Sequence, residues 1–164
     1  MSQFIAFAMS NFTLTFFVIG LAAALATLSR HPHPWSRAEV LEEVLAWFIF
    51  FSIGVSFLYN FVFHVFFGEL AASYIGWANS PFQAEVGYAS LGFAAVGFLA
   101  FRGAWQTRFA AILGPALFLW GAAIGHVLDM VRSHNFAPGN VGVIFWTDIL
   151  LPVFGLALLA ATRR

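Results

Sequence analysis

Five apolar stretches, each close to the length needed to cross the ~30 Å hydrocarbon core of a bilayer, take up most of this chain. Hydrophobic residues make up 62% of the sequence and charged residues only 9%, whereas about a quarter of the residues in a soluble domain are charged. Lipid cannot satisfy the polar groups of an unpaired backbone, so such stretches fold as helices. We therefore predict an all-α, polytopic transmembrane helix bundle of about five spans, which forms a single domain over residues 1–164.

Turn and capping signals set the boundaries of the spans. Arg30–Pro34 is a polar turn with two prolines, and Ser36 with Glu39 matches the capping box that starts a helix. The segment Ser80–Gln83 is a second start signal, with its serine as the capping residue and its proline at the first helical position, and it places Glu85 inside a helix. The predicted spans cover residues 4–28, 37–67, 81–101, 109–131 and 141–161, and residues 68–79 are predicted to be a loop.

The distribution of arginine predicts the orientation of the bundle. The turns after the first and third spans and the C-terminus each carry two arginines, whereas the turn after the second span has none. By the positive-inside rule, the N-terminus then lies outside and the C-terminus in the cytoplasm. The N-terminus lacks the basic segment of a signal peptide, so the first stretch is predicted to be a retained span. We expect a multi-pass protein of the cytoplasmic membrane of a prokaryote, with the lipid bilayer as its main partner.

The missing cysteines and the balanced charge exclude several classes of function. The chain has no cysteine, which rules out disulfide exchange, iron–sulfur clusters and thiolate metal sites. Its formal net charge is zero, and no basic patch indicates a nucleic acid partner.

A polar stripe crosses the second span. Ser52, Ser56, Asn60 and His64 recur every four residues among aromatic and aliphatic neighbours, which places them on one face of a helix. Nothing in the acyl region of a bilayer can satisfy such a stripe. We therefore expect it to face protein, a cavity or a ligand.

Ionisable residues gather at the outer side of the predicted bundle. An ionisable residue inside a membrane costs at least about 2.5–3.5 kcal/mol and marks a functional site by default. His126 and Asp129 are three residues apart, hence neighbours on one helix face. Asp148 precedes Pro152 by four residues, and the proline leaves the backbone oxygen of Asp148 free. The members of the group are His64, Glu69, Glu85, His126, Asp129, His134 and Asp148.

Imidazoles and carboxylates contributed by different helices are typical of metal sites with nitrogen and oxygen ligands. We predict that the protein binds a divalent transition metal, Fe, Mn or Zn. The core ligands are predicted to be Glu85, His126 and Asp129, and the further or surrounding ligands are predicted to be His64, Glu69 and Asp148. The sequence leaves open whether the protein is an enzyme. If it is, metal-assisted chemistry on a lipophilic substrate at the outer interface is the class that fits.

Other functions fit part of the same cluster. A proton-coupled transporter would use the acids and histidines as a relay, but the polar path stops at mid-membrane and no inverted repeat is visible. Haem bound between His64 and His126 ranks below a metal cation, because its propionates would meet an acidic cluster. A non-catalytic subunit would use the cluster only to hold helices together. A serine hydrolase receives little support, since Ser73 and Ser80 lack the sequence context of a nucleophile.

Two further patterns are predicted to be structural. Gly121 and Gly125 form a G-x-x-x-G motif, which permits close packing of helices, and such small-residue faces are where a homo-oligomer would form. The acidic residues Glu39, Glu42 and Glu43 at the start of the second span are predicted to decorate a solvated helix face.

One segment resembles a known family. The residues Gly76–Leu91, G-W-A-N-S-P-F-Q-A-E-V-G-Y-A-S-L, are similar to part of a family of small prokaryotic integral membrane proteins known only as a domain of unknown function. The resemblance covers this segment and the neighbouring spans. It implies a membrane-embedded fold but no catalytic residues, and it agrees with a central position for the helix that bears Glu85.

Overall fold

The computed structural model describes residues 2–163, and every regular element in that range is helical. Met1 and Arg164, the second arginine of the C-terminal pair, lie outside the described residues. The helices are α1 Ser2–Ser10, α2 Phe12–Leu28, α3 Arg37–Phe48, a π-helical segment Ile49–Val55, α4 Ser56–Phe66, α5 Gly68–Ile75, α6 Phe82–Ala100, α7 Trp105–Ser133, α8 Pro138–Val141 and α9 Val143–Ala161. The predicted all-α fold is confirmed.

Three helical stretches are long and apolar enough to cross a membrane. They are the continuous helix Arg37–Phe66, which joins α3, the π-helical segment and α4, the helix Trp105–Ser133, and the stretch Pro138–Ala161. The helix Phe12–Leu28 is also apolar but shorter, with 17 residues. The helical architecture is therefore compatible with a lipid bilayer environment.

One of the two predicted helix starts is confirmed and the other differs in detail. The hydroxyl of Ser36 accepts a hydrogen bond from the backbone nitrogen of Glu39 at 3.2 Å, and the Glu39 carboxylate accepts from the Ser36 backbone nitrogen at 2.8 Å, so the capping box is present. At the second start, Pro81 rather than Ser80 occupies the capping position, already in helical conformation, and no side chain caps the helix. The predicted cap by Ser80 is therefore wrong, although Glu85 does lie in the first turn of α6.

Two predicted boundaries are also wrong. The first span is interrupted at Asn11, whose side-chain amide donates to the Phe7 carbonyl at 2.8 Å and competes with continued helix geometry. Residues 68–79 are not a plain loop, because α5 occupies Gly68–Ile75. Gly76 ends α5 in the left-handed conformation (φ 84°), and the Trp77 backbone nitrogen then bonds the Ala72 carbonyl at 2.9 Å, as in a Schellman motif.

An apolar core holds the middle of the bundle together. Leu45, Ile49 and Ile112 are almost completely buried in it. The helix α6 crosses the π-helical segment at close range, since a Cβ atom on Gly97 would lie 2.7 Å from the backbone nitrogen of Gly54. Such small-residue crossings let helix backbones approach closely, and in lipid this packing stabilises the association of helices.

Two ion pairs clamp α3 to the turn between α6 and α7. The carboxylate of Glu43 accepts two hydrogen bonds from Arg102, at 2.9 and 3.1 Å, and the carboxylate of Glu42 accepts two from Arg108, at 2.6 and 2.7 Å. The bond to Glu43 raises the pKa of Arg102 above its usual range. The predicted solvated face is therefore wrong for Glu43, which is buried against Arg102, whereas Glu42 stays 43% exposed beside Arg108. We call this end of the bundle the arginine end.

Candidate functional site

A cavity of about 570 Å³ lies inside the bundle, toward the end opposite the arginine end. Its walls come from α2, the π-helical segment, α4, α6, α7 and α9, and α5 and Trp77 contribute at the end opposite the arginine end. Most of the wall is aromatic or aliphatic. The polar lining residues are Thr13, Ser52, Ser56, Asn60, His64, Tyr74, Trp77, Gln83, His126, Thr147 and Asp148. Among the described lining residues there is no arginine or lysine, and Asp148 is the one acid.

The polar stripe predicted on the second span faces this cavity. All four of its members, Ser52, Ser56, Asn60 and His64, line the wall. Asn60 donates to the hydroxyl of Ser90 on α6 at 2.9 Å. The hydroxyl of Ser52 is buried and has no hydrogen-bond partner among the described residues. Ser52 also lies in the π-helical segment, a distortion that is frequent at functional sites.

His64 is held by a residue that the sequence analysis assigned to helix capping. Its Nδ1 atom lies 2.6 Å from Oε1 of Gln83, which is buried in the first turn of α6. This bond orients the imidazole ring at the end of α4. Glutamine is common at the third position of a helix for capping. The sequence pattern therefore did not indicate that Gln83 lines the cavity.

The carboxyl group of Asp148 is buried without a hydrogen bond. Its side chain is 5% exposed and lines the cavity, and it bonds no residue that the structure describes. The one ionisable group within reach in the described chain is Nε2 of His126, at 4.0 Å from Oδ2 of Asp148. Burying a polar group without a hydrogen bond costs free energy. The carboxyl of Asp148 is therefore an unpartnered polar group on the cavity wall.

The buried amide of Asn140 fixes the tautomer of His126. The amide nitrogen of Asn140 donates to the Asn135 carbonyl at 2.8 Å, so its oxygen is the atom that lies 2.6 Å from Nδ1 of His126. Because an amide oxygen can only accept, Nδ1 of His126 carries the proton. In the neutral imidazole, Nε2 is then an acceptor. We call Nε2 of His126 and the carboxylate of Asp148 the acceptor pair.

Trp77 lines the cavity and stacks on the imidazole of His126. The two rings are stacked, with centroids 5.8 Å apart and an interplanar angle of 26°. The indole nitrogen of Trp77 donates to Oδ2 of Asp129 at 2.8 Å, and the Asn135 side chain donates to the same oxygen at 2.6 Å. Asp129 therefore positions Trp77 and Asn135, and it does not line the cavity.

The six predicted metal ligands do not come together. His64, His126 and Asp148 line the cavity, Asp129 is bonded as described above, and Glu69 and Glu85 are exposed on α5 and α6. His134 is exposed in the turn after α7. In the part of the chain that the structure describes, no group of three or more histidine, aspartate or glutamate residues is placed to hold a metal ion. Metal binding stays a prediction from the pattern of histidines and carboxylates in the sequence, and the positions of these side chains in the structure do not support it.

The cavity opens between α6 and α7. Phe82 and Leu117 both line it and are 55% and 60% exposed. The two helices touch beside Leu117, where the rings of Phe93 and Phe118 are 5.5 Å apart. Farther along α7, a Cβ atom at Gly121 or Gly125 would meet nothing within 4 Å. Within the chain, the predicted close packing at these glycines is therefore wrong, and they border an open cleft instead.

Several residues of the site were missed by the sequence analysis. Gln83, Asn140 and Thr147 are buried polar residues in or beside the wall, and the hydroxyl of Thr147 is 2.7 Å from that of Thr13 on α2. The only signal for Thr13 and Thr147 was their presence inside apolar stretches. Asn140 lies in a turn-rich segment, where asparagine is common for local reasons.

Comparison with known proteins identifies a family for this chain but no function. No curated protein and no solved structure matches the chain. The model of a family of unknown function, DUF6790, matches residues 10–164, which include every described residue that lines the cavity. The chain therefore belongs to DUF6790, a family of unknown function.

Proposed function

We propose that this protein binds a lipophilic small molecule in the cavity, with the polar group of that molecule at Asp148 and His126. The observation that carries the proposal is the buried carboxyl of Asp148, which faces a largely apolar space without a hydrogen-bond partner in the described chain. Ligand pockets are typically apolar walls with a few convergent polar groups. A volume of about 570 Å³ falls within the range of about 300–1,000 Å³ that small-molecule pockets occupy.

The proposal includes a five-span topology. The helices α2 and α6, with 17 and 19 residues, would be about 26 and 28 Å long at 1.5 Å per residue. They would join the three longer apolar stretches as spans. With the arginine end in the cytoplasm, as the positive-inside rule indicates, the cavity lies in the outer half of a prokaryotic cytoplasmic membrane. A lipophilic ligand would then reach the α6–α7 cleft from the outer leaflet.

Ligand binding is favoured over proton-coupled transport. The polar lining ends at Ser52, and the interior beyond it is filled by buried Leu45, Phe48 and Ile49. A transport path would need polar groups or water through this region. The His126–Asp148 pair, with 4.0 Å between Nε2 and Oδ2, makes no direct hydrogen bond. It does not extend a relay to the arginine end.

Filling the cavity tests the proposal. Gly125→Leu would place a side chain in the cavity, whereas Gly92→Leu is a matched control, because a Cβ there also meets nothing within 4 Å and Gly92 does not line the cavity. The neutral probe Nile red is titrated into each protein in phosphatidylcholine nanodiscs. We expect saturable binding to wild type and Gly92→Leu, and roughly tenfold weaker binding, about 1.4 kcal/mol, to Gly125→Leu. Equal binding to all three proteins would contradict the proposal.

The predicted metal is tested separately. Elemental analysis of protein purified in detergent without chelator gives the content of Fe, Mn and Zn. A near-stoichiometric metal that is lost in His126→Ala would revive the metal hypothesis, and an absorption band of haem would do the same for haem.

A further inference from the structure

We infer that the ligand of the cavity carries a protonated amine, so that the site takes a lipophilic ammonium ion. The inference rests on the proposed function and adds the chemical class of the polar group. It follows from three features of the site: the acceptor pair, the charge of the lining and the aromatic wall.

The acceptor pair calls for a group with more than one hydrogen to donate. Nε2 of His126 is an acceptor because Asn140 fixes the proton on Nδ1. When Asp148 is ionised, its carboxylate is also an acceptor, and no described residue donates to it. The two acceptor atoms are 4.0 Å apart. An ammonium nitrogen about 2.8 Å from each atom, the usual length of a charged N–H···O bond, fits between them and satisfies both.

The charge of the lining selects against acidic ligands. A carboxylate or phosphate head would face the acceptor pair, with no arginine or lysine among the described lining residues to pair with it. Arg102 and Arg108 are held at the arginine end by glutamates. A neutral alcohol donates a single hydrogen, and it leaves the charge of an ionised Asp148 uncompensated. A protonated amine satisfies both members of the acceptor pair and also neutralises the buried carboxylate.

The aromatic rings of the cavity wall suit a cation. Trp77 stacks on the imidazole of His126, and Tyr74 and Phe12 line the same cavity. The face of an aromatic ring attracts a desolvated cation. Farther along the wall, aliphatic side chains such as Leu119 and Leu151 provide the surface for an apolar body. The site therefore combines a cationic end with an apolar remainder.

A series of ligands with one chain length tests the inference. Decylamine, decanol, decanoate and decyltrimethylammonium compete with Nile red for the protein in phosphatidylcholine nanodiscs at pH 7. Nanodiscs without protein correct for partitioning into lipid. The proteins are wild type, Asp148→Asn and the control Glu85→Gln, which changes an exposed carboxylate on α6.

We expect decylamine to compete at least tenfold better than decanol, and decanoate to compete least. Decyltrimethylammonium, which has the charge but no N–H group, should fall below decylamine. Asp148→Asn should bring decylamine to within about twofold of decanol, because the loss of the carboxylate removes the charged hydrogen bond, and Glu85→Gln should change nothing. If Asp148→Asn fails to fold, the ranking of the four compounds on wild type still decides the question.

Two negative results have different meanings. If decanol competes as well as decylamine on wild type, the ammonium inference is overturned, while cavity binding stands. If no compound competes and Gly125→Leu leaves Nile red binding unchanged, the proposed function itself is overturned.

Discussion

Oδ1 of Asn140 lies 2.6 Å from Nδ1 of His126, and this one contact decides which nitrogen of the imidazole faces Asp148. The two residues are joined across the turn between α7 and α9, where Asn140 is fully buried. The amide also bonds the Asn135 carbonyl, so the turn and the imidazole are fixed together. The polar end of the cavity is therefore held rigidly by a residue that does not line the cavity itself.

The tautomer of His126 is the first prediction. Histidine labelled with ¹⁵N should show Nδ1 protonated and Nε2 unprotonated for His126 at pH 8.5, because Nδ1 donates to Asn140. The signal is assigned by its loss in His126→Gln. Asn140→Leu should release the tautomer and destabilise the protein by about 1–3 kcal/mol, since a buried donor loses its partner. A proton on Nε2 in the wild-type protein would contradict the acceptor pair.

The second prediction concerns the two ion pairs at the arginine end. Glu42→Gln should destabilise the protein more than Glu43→Gln, since the arginine left without its partner is buried in the first case and half-exposed in the second. We expect a loss of about 2–3 kcal/mol for Glu42→Gln, below the range for a fully buried pair, and of about 1 kcal/mol or less for Glu43→Gln. Thermal unfolding in detergent measures both variants. The reverse order would show that the burial of Arg108 does not control the effect.

The third prediction concerns the opening between α6 and α7. Gly121→Leu should narrow the cleft, because Gly121 borders it and a Cβ there meets open space. In stopped-flow measurements, Nile red should associate with this variant at least about threefold more slowly than with wild type, an effect on the barrier of roughly 0.7 kcal/mol. Gly92→Leu, on the outer surface of α6, should leave the rate unchanged. Equal rates for both variants would place the entrance elsewhere.

The fourth prediction concerns the indole that stacks on His126. Trp77→Ala should speed the dissociation of bound Nile red, because the indole lines the cavity and stacks on His126. Asp129→Ala should have a smaller effect in the same direction, since Asp129 holds the indole nitrogen but does not line the cavity. Dissociation is followed by dilution into empty nanodiscs. If Asp129→Ala speeds dissociation while Trp77→Ala does not, Trp77 is not the side chain that retains the ligand.

The features predicted correctly from the sequence are those that depend on a single helix. The capping box at Ser36 and the stripe from Ser52 to His64 follow from local spacing. The stripe faces the cavity even though the π-helical segment changes the helical register around Ser52. A run of polar residues inside an apolar helix has one favourable direction, which is away from lipid.

The features that were missed depend on how one helix is rotated against another. The local sequence around Glu85 does not distinguish an exposed carboxylate from a buried one. Glu85 is exposed, whereas Gln83 in the same helical turn is buried against His64. Glu43 and Arg102 form an ion pair although they are 59 residues apart in the sequence, and no local pattern predicts that contact. His126 and Asp129 are near neighbours on α7, but Asp129 turns toward Trp77 and Asn135.

Photolabelling tests the central claim most directly. A decylamine that carries a diazirine is bound to the protein in nanodiscs and irradiated, and the labelled residues are mapped by mass spectrometry with and without excess decylamine. We predict labels on cavity residues near the acceptor pair, such as Ile144 and Ala122, which excess decylamine removes. Labels confined to outward-facing residues such as Leu99 and Ile124, and insensitive to the competitor, would contradict a binding site inside the bundle.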